Sequence, residues 1–252
     1  MAELAIVLAV YNEAENLTLL VDALEGLGEN LEIIVVDDSS PDGTARLARQ
    51  LSDRYGNITL IQRPAKLGLG SALRDGMAAA LTGDARCILT MDGDLSHDPA
   101  DVPRLLDAMR RERADVVQGS RYTPGGGIRN WSLGRRALSR CANLLFHWGT
   151  GGPKESTTNF RIFSRWAASV VLDRAQGNGY EFVPEVMLLA LASGLQVVEV
   201  PITFTDRERG KSKLGKSQAI GHILHSLGGI VQYRLGLGRF SRRRARKHRA
   251  SN

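Results

Sequence analysis

Residues 87–99 read CILTMDGDLSHDP, an apolar run that stops at a turn with three carboxylates. The apolar, partly β-branched residues up to Met91 predict a buried strand, and Gly93 marks the turn beyond it. Two carboxylates as close as Asp92 and Asp94 repel each other when held partly out of water, unless a positive charge lies between them. A hard divalent cation with oxygen ligands supplies such a charge. The stretch therefore predicts a buried strand that ends at a metal site.

Strand-like and helix-like runs alternate along the first half of the chain. The predicted strands cover residues 4–10, 31–36, 58–61, 87–91 and 115–118. The predicted helices between them cover residues 13–27, 44–55, 69–81 and 99–111. This alternation predicts an α/β fold with a mainly parallel sheet, helices on both faces and right-handed crossovers.

Charged residues follow the end of each predicted strand. In chain order they are Glu13, Asp37 with Asp38, Arg63 with Lys66, Asp92 with Asp94, and Arg121. The carboxyl ends of parallel strands share one edge of the sheet, and ligands bind beyond that edge. Any one of these residues also fits a helix cap or a solvated turn. Charge at five successive strand ends favours a ligand site.

The second half of the chain lacks this regular alternation. Residues 123–130, TPGGGIRN, predict a mobile glycine-rich break. Residues 131–148 and 217–233 each have apolar residues along one side, as an amphipathic helix does. We expect both segments to pack on the core, with membrane contact as the alternative.

Length and composition place the chain among ordinary globular proteins. Its 252 residues, 43% hydrophobic and 24% charged, allow one large domain or two small ones. Cys87 and Cys141 lack the spacing of metal ligands, so we expect a reducing, cytoplasmic compartment. The first residues are typical of a strand and not of a signal peptide. No apolar stretch approaches the ~20 residues that a membrane-spanning helix needs.

The two acidic pairs fit a nucleoside diphosphate site. A carboxylate of Asp37 or Asp38 contacts ribose or base in this interpretation, while a cation at Asp92 and Asp94 bridges the phosphates. The expected cation is Mg²⁺ or Mn²⁺, because the His and Cys ligands of zinc sites are missing here. His97 fits a hydrogen-bonded turn residue equally well and is not assigned as a ligand. The chain has no Walker loop and no GxGxxG after the first strand, which argues against an NTPase or a dinucleotide enzyme.

Seven segments, in the order found here, resemble the dolichol-phosphate (polyprenol-phosphate) mannosyltransferases, which are inverting glycosyltransferases of GT-A fold. The segments are LAVYNEAENL, IIVVDDSSPDGTA, RPAKLGLGSALRDGM, TMDGDLSHDP, DVVQGSRYTPGG, NFRIF and EVPITFTDRERGKSKLG. The similarity covers residues 4–216. It implies a GT-A domain with a Rossmann-like, mainly parallel sheet over 1–216. An amphipathic helix over 217–238 and a basic, disordered tail over 239–252 are expected to follow.

The resemblance also implies roles for individual residues. Nucleotide-sugar binding is implied for Tyr11, Glu13, Asp37, Asp38, Lys66, Asp92 and Glu185. Metal binding is implied for Asp92, Asp94 and Ser96. Contact with the phosphates of donor or acceptor is implied for Arg121, Arg135, Ser139, Arg207 and Lys213. Catalysis is expected to depend on Asp94, Arg121 and Arg207.

A polyprenyl phosphate acceptor agrees with this set of residues. A phosphate monoester has a second pKa near ~6 and is largely dianionic at neutral pH, so its oxygen attacks without a general base. Arginine binds such a group through its planar donor fork. We therefore expect transfer of mannose from GDP-mannose to a polyprenyl (dolichyl) phosphate with inversion. A UDP-sugar such as UDP-glucose is the alternative donor.

The basicity of the chain is concentrated at its end. The formal net charge is +6, and the last fifteen residues contain seven Arg or Lys and no acid, which leaves −1 for the remainder. With residues 217–238, this tail is expected to hold the enzyme peripherally at the cytoplasmic face of a membrane. A solubilising end is the alternative, and an RNA-binding or assembly protein is the alternative from another class. Nucleic acid is not expected, since Phe240 is the only aromatic residue among the arginines of the tail.

One segment departs from the pattern of the resembled family. Relatives usually show Asp-x-Thr-Ser-Gly-Phe-Arg, whereas residues 155–161 read ESTTNFR. Glu155 is one methylene longer than Asp, and Asn159 has less backbone freedom than Gly, although Asn tolerates left-handed geometry better than most residues. We expect the loop to persist, with its donor-sugar or acceptor preference left open.

Overall fold

The computed structural model describes residues 2–206 and 216–241, with the backbone alone for 216–225. The strands are β1 (Leu4–Val10), β2 (Leu31–Asp37), β3 (Ile58–Gln62), β4 (Cys87–Asp92), β5 (Val116–Ser120), β6 (Gly127–Arg129), β7 (Arg161–Ser164), β8 (Val197–Pro201) and β9 (Thr203–Thr205). The helices are α1 (Ala14–Glu25), α2 (Thr44–Tyr55), α3 (Leu69–Thr82), α4 (Val102–Glu112), α5 (Leu133–Thr150), α6 (Arg165–Leu172), α7 (Phe182–Ala192) and α8 (Lys216–Leu235).

Seven strands form one sheet in the order β3-β2-β1-β4-β7-β5-β8. All of them are parallel except β7, which pairs antiparallel with both β4 and β5. The mainly parallel sheet predicted from the sequence is therefore confirmed. The carboxyl ends of β1 to β5 meet at one edge of it, and the antiparallel β7 brings the segment before residue 161 to the same edge.

Helices cover both faces of the sheet, and alternate residues of each central strand enter opposite cores. In β1, Ala5 and Val7 pack with α3, α6 and α7, whereas Leu4, Ile6 and Leu8 pack with α1, α2 and α4. Burial on both faces explains why the strands are continuous apolar runs and not alternating ones.

The prediction of a mobile break at 123–130 is wrong for residues 127–129. They form β6, which pairs in parallel with β9, so that Ile128 lies opposite Phe204. A Cβ on Gly126 would lie 2.4 Å from the carbonyl oxygen of Ser120. The glycine there permits a close backbone approach, a use that composition does not distinguish from mobility.

The C-terminal helix α8 ends at Leu235, three residues before the predicted bound, where Gly236 takes a φ of +64°. Its Ile230 and Tyr233 are buried, in agreement with core packing. A short 3₁₀ turn follows at Gly238–Phe240, with Phe240 buried. Residues 239–241, predicted to belong to a disordered tail, are therefore ordered, and residues 242–252 lie outside the described part. Among the described residues no helix is long and apolar enough to cross a bilayer.

Candidate active site

The acids that end β2 are both buried and already hold backbone in place. Asp37 accepts hydrogen bonds from the N–H and the hydroxyl of Ser40, and the hydroxyl of Ser40 in turn accepts the N–H of Asn12. Glu13, also buried, accepts from Asn16, while its own N–H is donated to Thr44. These bonds join the loop after β1 to the loop after β2.

Asp38 fastens the loop after β3 to β2. Its Oδ1 accepts from Nε of Arg63 at 2.5 Å, and its Oδ2 accepts the N–H groups of Leu67 and Gly68 at 3.2 Å each. Arg63 also donates to the hydroxyl of Ser71 at 2.8 Å. The Asp38–Arg63 pair is therefore part of a network that joins the ends of β2 and β3 to the start of α3.

Tyr11 and Lys66, predicted from separate strand ends to bind the nucleotide, lie together. The Nζ atom of Lys66 lies 4.2 Å from the centre of the Tyr11 ring, within the range of a cation–π contact. An aromatic face beside a flexible ammonium suits a base or ribose next to a diphosphate.

The turn after β4 presents the predicted metal ligands. Asp92 is one-third exposed, and Asp94 is buried with its Oδ1 accepting the N–H of Ser96 at 3.0 Å. The carbonyl of Ser96 accepts the N–H of Thr205 in β9 at 3.1 Å. Leu95, between them, has a φ of +61°, a conformation that costs free energy for a leucine. The turn is thus held from both ends in a strained shape that groups Asp92, Asp94 and Ser96.

His97 is a structural residue of this turn. It is fully buried, its Nδ1 accepts the N–H of Asp92 at 3.4 Å, and its Nε2 lies 2.8 Å from the hydroxyl of Thr158. Burial lowers the pKa of His97 to about 4, so the imidazole is neutral near pH 7 and its 3.8 Å approach to the Asp92 carboxylate is not an ion pair. Both ring nitrogens are used, which agrees with its not being assigned as a ligand.

The donor set of the turn fits Mg²⁺ or Mn²⁺. Two carboxylates beside a hydroxyl are hard oxygen donors, and these ions are commonly held by one or two carboxylates together with substrate phosphates and water. No group of three or more His, Cys, Asp or Glu side chains with metal-binding geometry occurs in the described ranges. A metal at Asp92 and Asp94 would therefore be completed by substrate and not by a protein cage.

Arg121, predicted to contact phosphate, is buried in a two-point ion pair with Glu155. Its Nε and Nη2 atoms donate to the two carboxylate oxygens at 2.7 and 2.9 Å, and Nη2 also donates to Thr157 at 2.7 Å. Burial opposes charge on both partners, yet the pairing raises the pKa of Arg121 and lowers that of Glu155. Within residues 2–206 and 216–241, Nη1 of Arg121 has no hydrogen-bond partner, which leaves one donor edge for an anion.

Arg135 and Ser139 of helix α5, both predicted to contact phosphate, are linked to Arg121 by aromatic side chains: Arg135 by Trp131 and Ser139 by Tyr122. The Cζ atoms of Arg135 and Arg121 lie 3.9 and 5.1 Å from the centre of the Trp131 ring. Arg135 is paired with both oxygens of Asp206, and Ser139 accepts from the hydroxyl of Tyr122 at 2.7 Å. The Trp131 indole N–H is buried and has no hydrogen-bond partner in the part of the chain that the structure describes.

The segment before β7 links the two charged regions. Asn159 reaches Asp92, with Nδ2 3.5 Å from Oδ1, and its carbonyl accepts from Thr90. Arg161 lies fully buried beneath this segment and donates to the carbonyls of Ser156 and Thr158 and to Gln118. Burial lowers the pKa of Arg161 to about 9, which still leaves it cationic at neutral pH.

Glu185 does not lie at the strand ends. Glu185 accepts the N–H groups of Gln176 and Gly177 and pairs with Arg239 at 2.8 Å. It reaches the site only through the loop 176–181, so a direct sugar contact stays a prediction. Arg207 and Lys213 lie outside the described residues.

Several residues of the site were missed as site residues by sequence reasoning. They are Trp131, Glu155, Thr158, Asn159 and Asp206. The departure of the ESTTNFR segment from the family pattern was a signal for Glu155 and Asn159. Trp131 and Asp206 gave no signal, because the contact of Trp131 with Phe204 and that of Asp206 with Arg135 join segments about seventy residues apart.

A cavity of about 580 Å³ opens beside the turn at residues 92–96. Its lining includes Asp94, Ser96, Arg129 and Asp206, but none of Tyr11, Asp38 and Lys66. It is therefore not the predicted nucleotide cleft, and it borders the turn from the side of β6 and β9.

Comparison with known proteins shows the family of the chain. Residues 5–173 match the family Glycosyl transferase family 2. The polyprenol monophosphomannose synthase of Mycolicibacterium smegmatis is 39% identical over 218 residues, covering 84% of this chain and 81% of that protein. The undecaprenyl-phosphate mannosyltransferase of Micrococcus luteus is 34% identical over 210 residues, covering 82% and 86%.

Solved structures share the fold at lower identity. The glucosyl-3-phosphoglycerate synthase of Mycobacterium tuberculosis, crystallised with Mn²⁺, UDP and glucosyl-3-phosphoglycerate, has a TM-score of 0.65 and 18% identity, covering 94% of this chain and 81% of that chain. A mannosyltransferase of Pyrobaculum calidifontis with GDP-mannose and Mn²⁺ has a TM-score of 0.57 and 13% identity, covering 93% and 75%. The GT-A expectation is therefore confirmed for the fold.

Proposed function

The chain belongs to glycosyl transferase family 2, and we propose that it transfers mannose from GDP-mannose to a polyprenyl monophosphate with inversion at the anomeric carbon. The names of the two relatives at 39% and 34% identity support the sugar and the lipid acceptor. The observation that carries the proposal is the division of the sheet edge into an acidic side and a side with arginines. The two sides meet at Asp92, which contacts Asn159 and favours the charged form of Arg121.

The acidic side is the proposed donor site. Tyr11 and Lys66 hold the base or ribose and the diphosphate, with Glu13, Asp37 and Asp38 shaping the loops around them. Asp92, Asp94 and Ser96 would hold Mg²⁺ or Mn²⁺. When bound, the cation neutralises charge that develops on the departing nucleoside diphosphate.

The basic side is the proposed acceptor site. The free edge of Arg121, the guanidinium of Arg135 and the unpartnered N–H of Trp131 are donors for a phosphate. Because Arg121 and Arg135 are each paired with an acid, their net charge is largely compensated. Arg207 and Lys213, which the family resemblance assigns to phosphate binding, would then supply the uncompensated charge.

The chemistry needs no general base. An oxygen of the dianionic lipid phosphate forms a bond to the anomeric carbon while the bond from that carbon to the GDP oxygen breaks, and GDP leaves with the electron pair. No proton has to move, which agrees with a turn whose one histidine is neutral and fully hydrogen-bonded. Attack from the face opposite the leaving group turns an α-linked donor into a β-linked product.

Purified protein incubated with a panel of labelled nucleotide sugars and a short polyprenyl phosphate tests the proposal. We expect GDP-mannose to be the preferred donor and the product to be β-linked by NMR. Chelator should abolish turnover. Asp92→Asn and Asp94→Asn should each lower turnover by about a hundredfold or more, because each substitution removes one negative charge from the proposed cation site. Asp53→Asn, an exposed acid on α2, is the matched control and should change turnover less than twofold.

Two results would overturn the proposal. Preference for UDP-glucose over GDP-mannose would show that the proposed donor is wrong, while the proposed polyprenyl phosphate acceptor would stand. If folded Asp92→Asn or Asp94→Asn protein formed lipid-linked sugar at the wild-type rate in chelator, the proposed metal site would be wrong. The proposed mechanism would then be wrong too.

A further inference from the structure

The 3₁₀ turn that follows α8 is fastened to the residues on either side of the loop between α6 and α7. Nη1 of Arg239, in that turn, lies 2.8 Å from Oε1 of Glu185 in the first turn of α7. Arg174, just after α6, donates to the backbone carbonyl groups of Arg239 and Ser241. One ion pair and a second arginine therefore hold the turn in place.

Glu185 connects this turn to the loop 176–181. Its side chain is 2% exposed, and it also accepts the backbone N–H groups of Gln176 at 2.9 Å and Gly177 at 2.7 Å. In the part of the chain that the structure describes, Arg239 is the only cation paired with it. Without Arg239, a buried carboxylate would keep two backbone donors and no opposite charge, so the loop that it organises would loosen.

The loop 176–181 packs directly on the start of α3. The carbonyl of Asn178 accepts the N–H of Ser71 at 3.1 Å. A Cβ on Gly70 would lie 2.7 Å from two carbonyl oxygens of the loop, and a Cβ on Gly68 would lie 2.4 Å from the carbonyl oxygen of Asn178. The two segments therefore meet backbone to backbone, and the position of one constrains the position of the other.

From the start of α3 the contacts continue to Asp38. The hydroxyl of Ser71 accepts from Arg63 at 2.8 Å, and Arg63 pairs with Asp38 at 2.5 Å. Asp38 in turn holds the backbone beside Lys66 through two N–H groups. A continuous series of polar contacts thus joins Arg239 to the proposed nucleotide site.

We propose that Arg239 is a positioning residue of the donor site. It acts through Glu185 on the loop 176–181, and through that loop on the backbone beside Lys66, without touching the substrate. The ligand whose binding it supports is a nucleoside diphosphate. The inference rests on the proposed function, since it takes the loop beside Lys66 as part of the site for the donor nucleotide.

The Kd of GDP in the presence of Mn²⁺, measured by calorimetry on the full chain, tests this role. Arg239→Met keeps an unbranched side chain beside the Phe240 ring but removes the charge. It should raise the Kd about fivefold or more, because the loop 176–181 loosens. Arg239→Lys returns a cation to Glu185 and should bring the Kd back to within about twofold of the wild type.

Arg234→Met is the matched control. Arg234, five residues earlier on α8, donates to the backbone carbonyl groups of Trp148 and Gly149 and has no contact with the series that leads to Asp38. This variant should change the Kd of GDP less than about twofold. Equal rises in the Kd for Arg234→Met and Arg239→Met would overturn the proposal.

Steady-state kinetics separate positioning from a general defect of the fold. Arg239→Met should raise KM for the nucleotide-sugar donor about fivefold, and leave kcat and KM for a short polyprenyl phosphate within about twofold. A merely structural role would lower the urea midpoint and leave Kd and KM unchanged, because the folded molecules would bind as the wild type does. That result, or equal rises in the KM values of donor and acceptor, would overturn the proposal.

A double-mutant cycle tests the path through the loop. Ser71→Ala removes the hydroxyl that Arg63 contacts and should itself raise the Kd of GDP. If the effect of Arg239 reaches the nucleotide along this series, Arg239→Met/Ser71→Ala should raise the Kd by less than the product of the two single effects. Effects that multiply would show two independent routes and would overturn the proposed path.

Binding and transfer distinguish this inference from the proposed function. A Kd that responds to Arg239→Met as expected, in a wild type that transfers no mannose to polyprenyl phosphate, would overturn the proposed function and support the positioning role. Mannosyl transfer by the wild type, with an unchanged Kd of GDP in Arg239→Met, would overturn the positioning role alone.

Discussion

Each half of the molecule buries one arginine–carboxylate pair at the edge of the sheet, and the two pairs are built differently. Arg63 and Asp38 join the ends of β2 and β3, and their network includes the half-exposed carboxylate of Asp75 and two backbone N–H groups. Arg121 and Glu155 join the end of β5 to the segment before β7, and their side chains are 4% and 0% exposed.

The difference lies in what remains when one partner is lost. If Asp38 is neutralised, Arg63 still donates to the carboxylate of Asp75 and the hydroxyl of Ser71. If Glu155 is neutralised, Arg121 keeps its charge and its bond to Thr157, but among the described residues it has no second carboxylate within hydrogen-bond distance. A buried charge that loses its partner is strongly destabilising. Neutralising Glu155 should therefore lower the free energy of unfolding more than neutralising Asp38 does.

Glu155→Gln should therefore be the most damaging of the substitutions considered. We expect a loss of about 3–5 kcal/mol in the free energy of unfolding, measured by urea denaturation, because an uncompensated guanidinium remains buried. The double variant Arg121→Met/Glu155→Gln should recover part of that loss, since it removes the orphaned charge. A loss below about 1 kcal/mol in the single variant would show that Arg121 finds another partner or solvent.

Low pH should reduce the difference in unfolding free energy between the wild type and Glu155→Gln. The folded chain holds the pKa of Glu155 below its ordinary value of 4.5, so folding is favoured by ionisation above that value and the benefit is lost as pH falls below it. The difference in unfolding free energy should be constant from pH 7 to about 5 and shrink at lower pH. A difference independent of pH down to 3 would mean that Glu155 does not hold its charge for Arg121.

Asp38→Asn should have an intermediate effect. We expect about 2–3 kcal/mol of destabilisation, because an amide replaces a carboxylate that accepts one guanidinium and two backbone N–H bonds. The loop at 67–68 should loosen beside Lys66, so the Kd of GDP by calorimetry should rise more than it does for Glu155→Gln. Asp75→Asn, at the exposed end of the network, should cost less than about 1 kcal/mol.

The same contrast explains how much of the molecule could be predicted from its sequence. The first half repeats strand, turn and helix, and its site residues follow directly on strands, so periodicity places Glu13, Asp38 and Asp92 at one edge. The second half depends on contacts distant in sequence. The antiparallel insertion of β7, the pairing of β6 with β9 and the enclosure of Arg121 by Glu155 leave no local pattern, so composition suggested a mobile break where the chain forms a strand. The prediction that residues 131–148 pack on the core is wrong for the exposed side of α5, where Leu133 and Trp148 lie. An apolar stripe in the sequence does not show which neighbour, if any, covers it.

Gly68 lies where the two halves meet, and its substitution should destabilise the fold about as much as Asp38→Asn does. It has a φ of +106°, and a Cβ there would lie 2.4 Å from the carbonyl oxygen of Asn178. Gly68→Ala should cost about 2–3 kcal/mol and raise the Kd of GDP, since the loop that Asp38 holds must move. Gly28→Ala is the matched control, because Gly28 has a φ of +68° and open space around its Cβ position. It should cost about 1 kcal/mol and leave GDP binding unchanged; equal effects on GDP binding in both variants would argue against a link between the halves.

Asn159→Gly should have the smallest effect, although it restores the residue usual in the resembled family. Asn159 is not among the residues with positive φ, so glycine is not required by the backbone there. Its contact with Asp92 is 3.5 Å long, at the limit of a hydrogen bond, and contributes little. We expect a loss of about 0.5–1 kcal/mol from added freedom in the unfolded chain, and Mn²⁺ affinity by calorimetry within about twofold of the wild type. Asn159→Ala removes the same amide without adding that freedom and should be closer to the wild type in stability. If both variants instead changed Mn²⁺ affinity tenfold, the amide would be a positioning group for Asp92, and the segment before β7 would belong to the acidic side of the site as much as to the basic one.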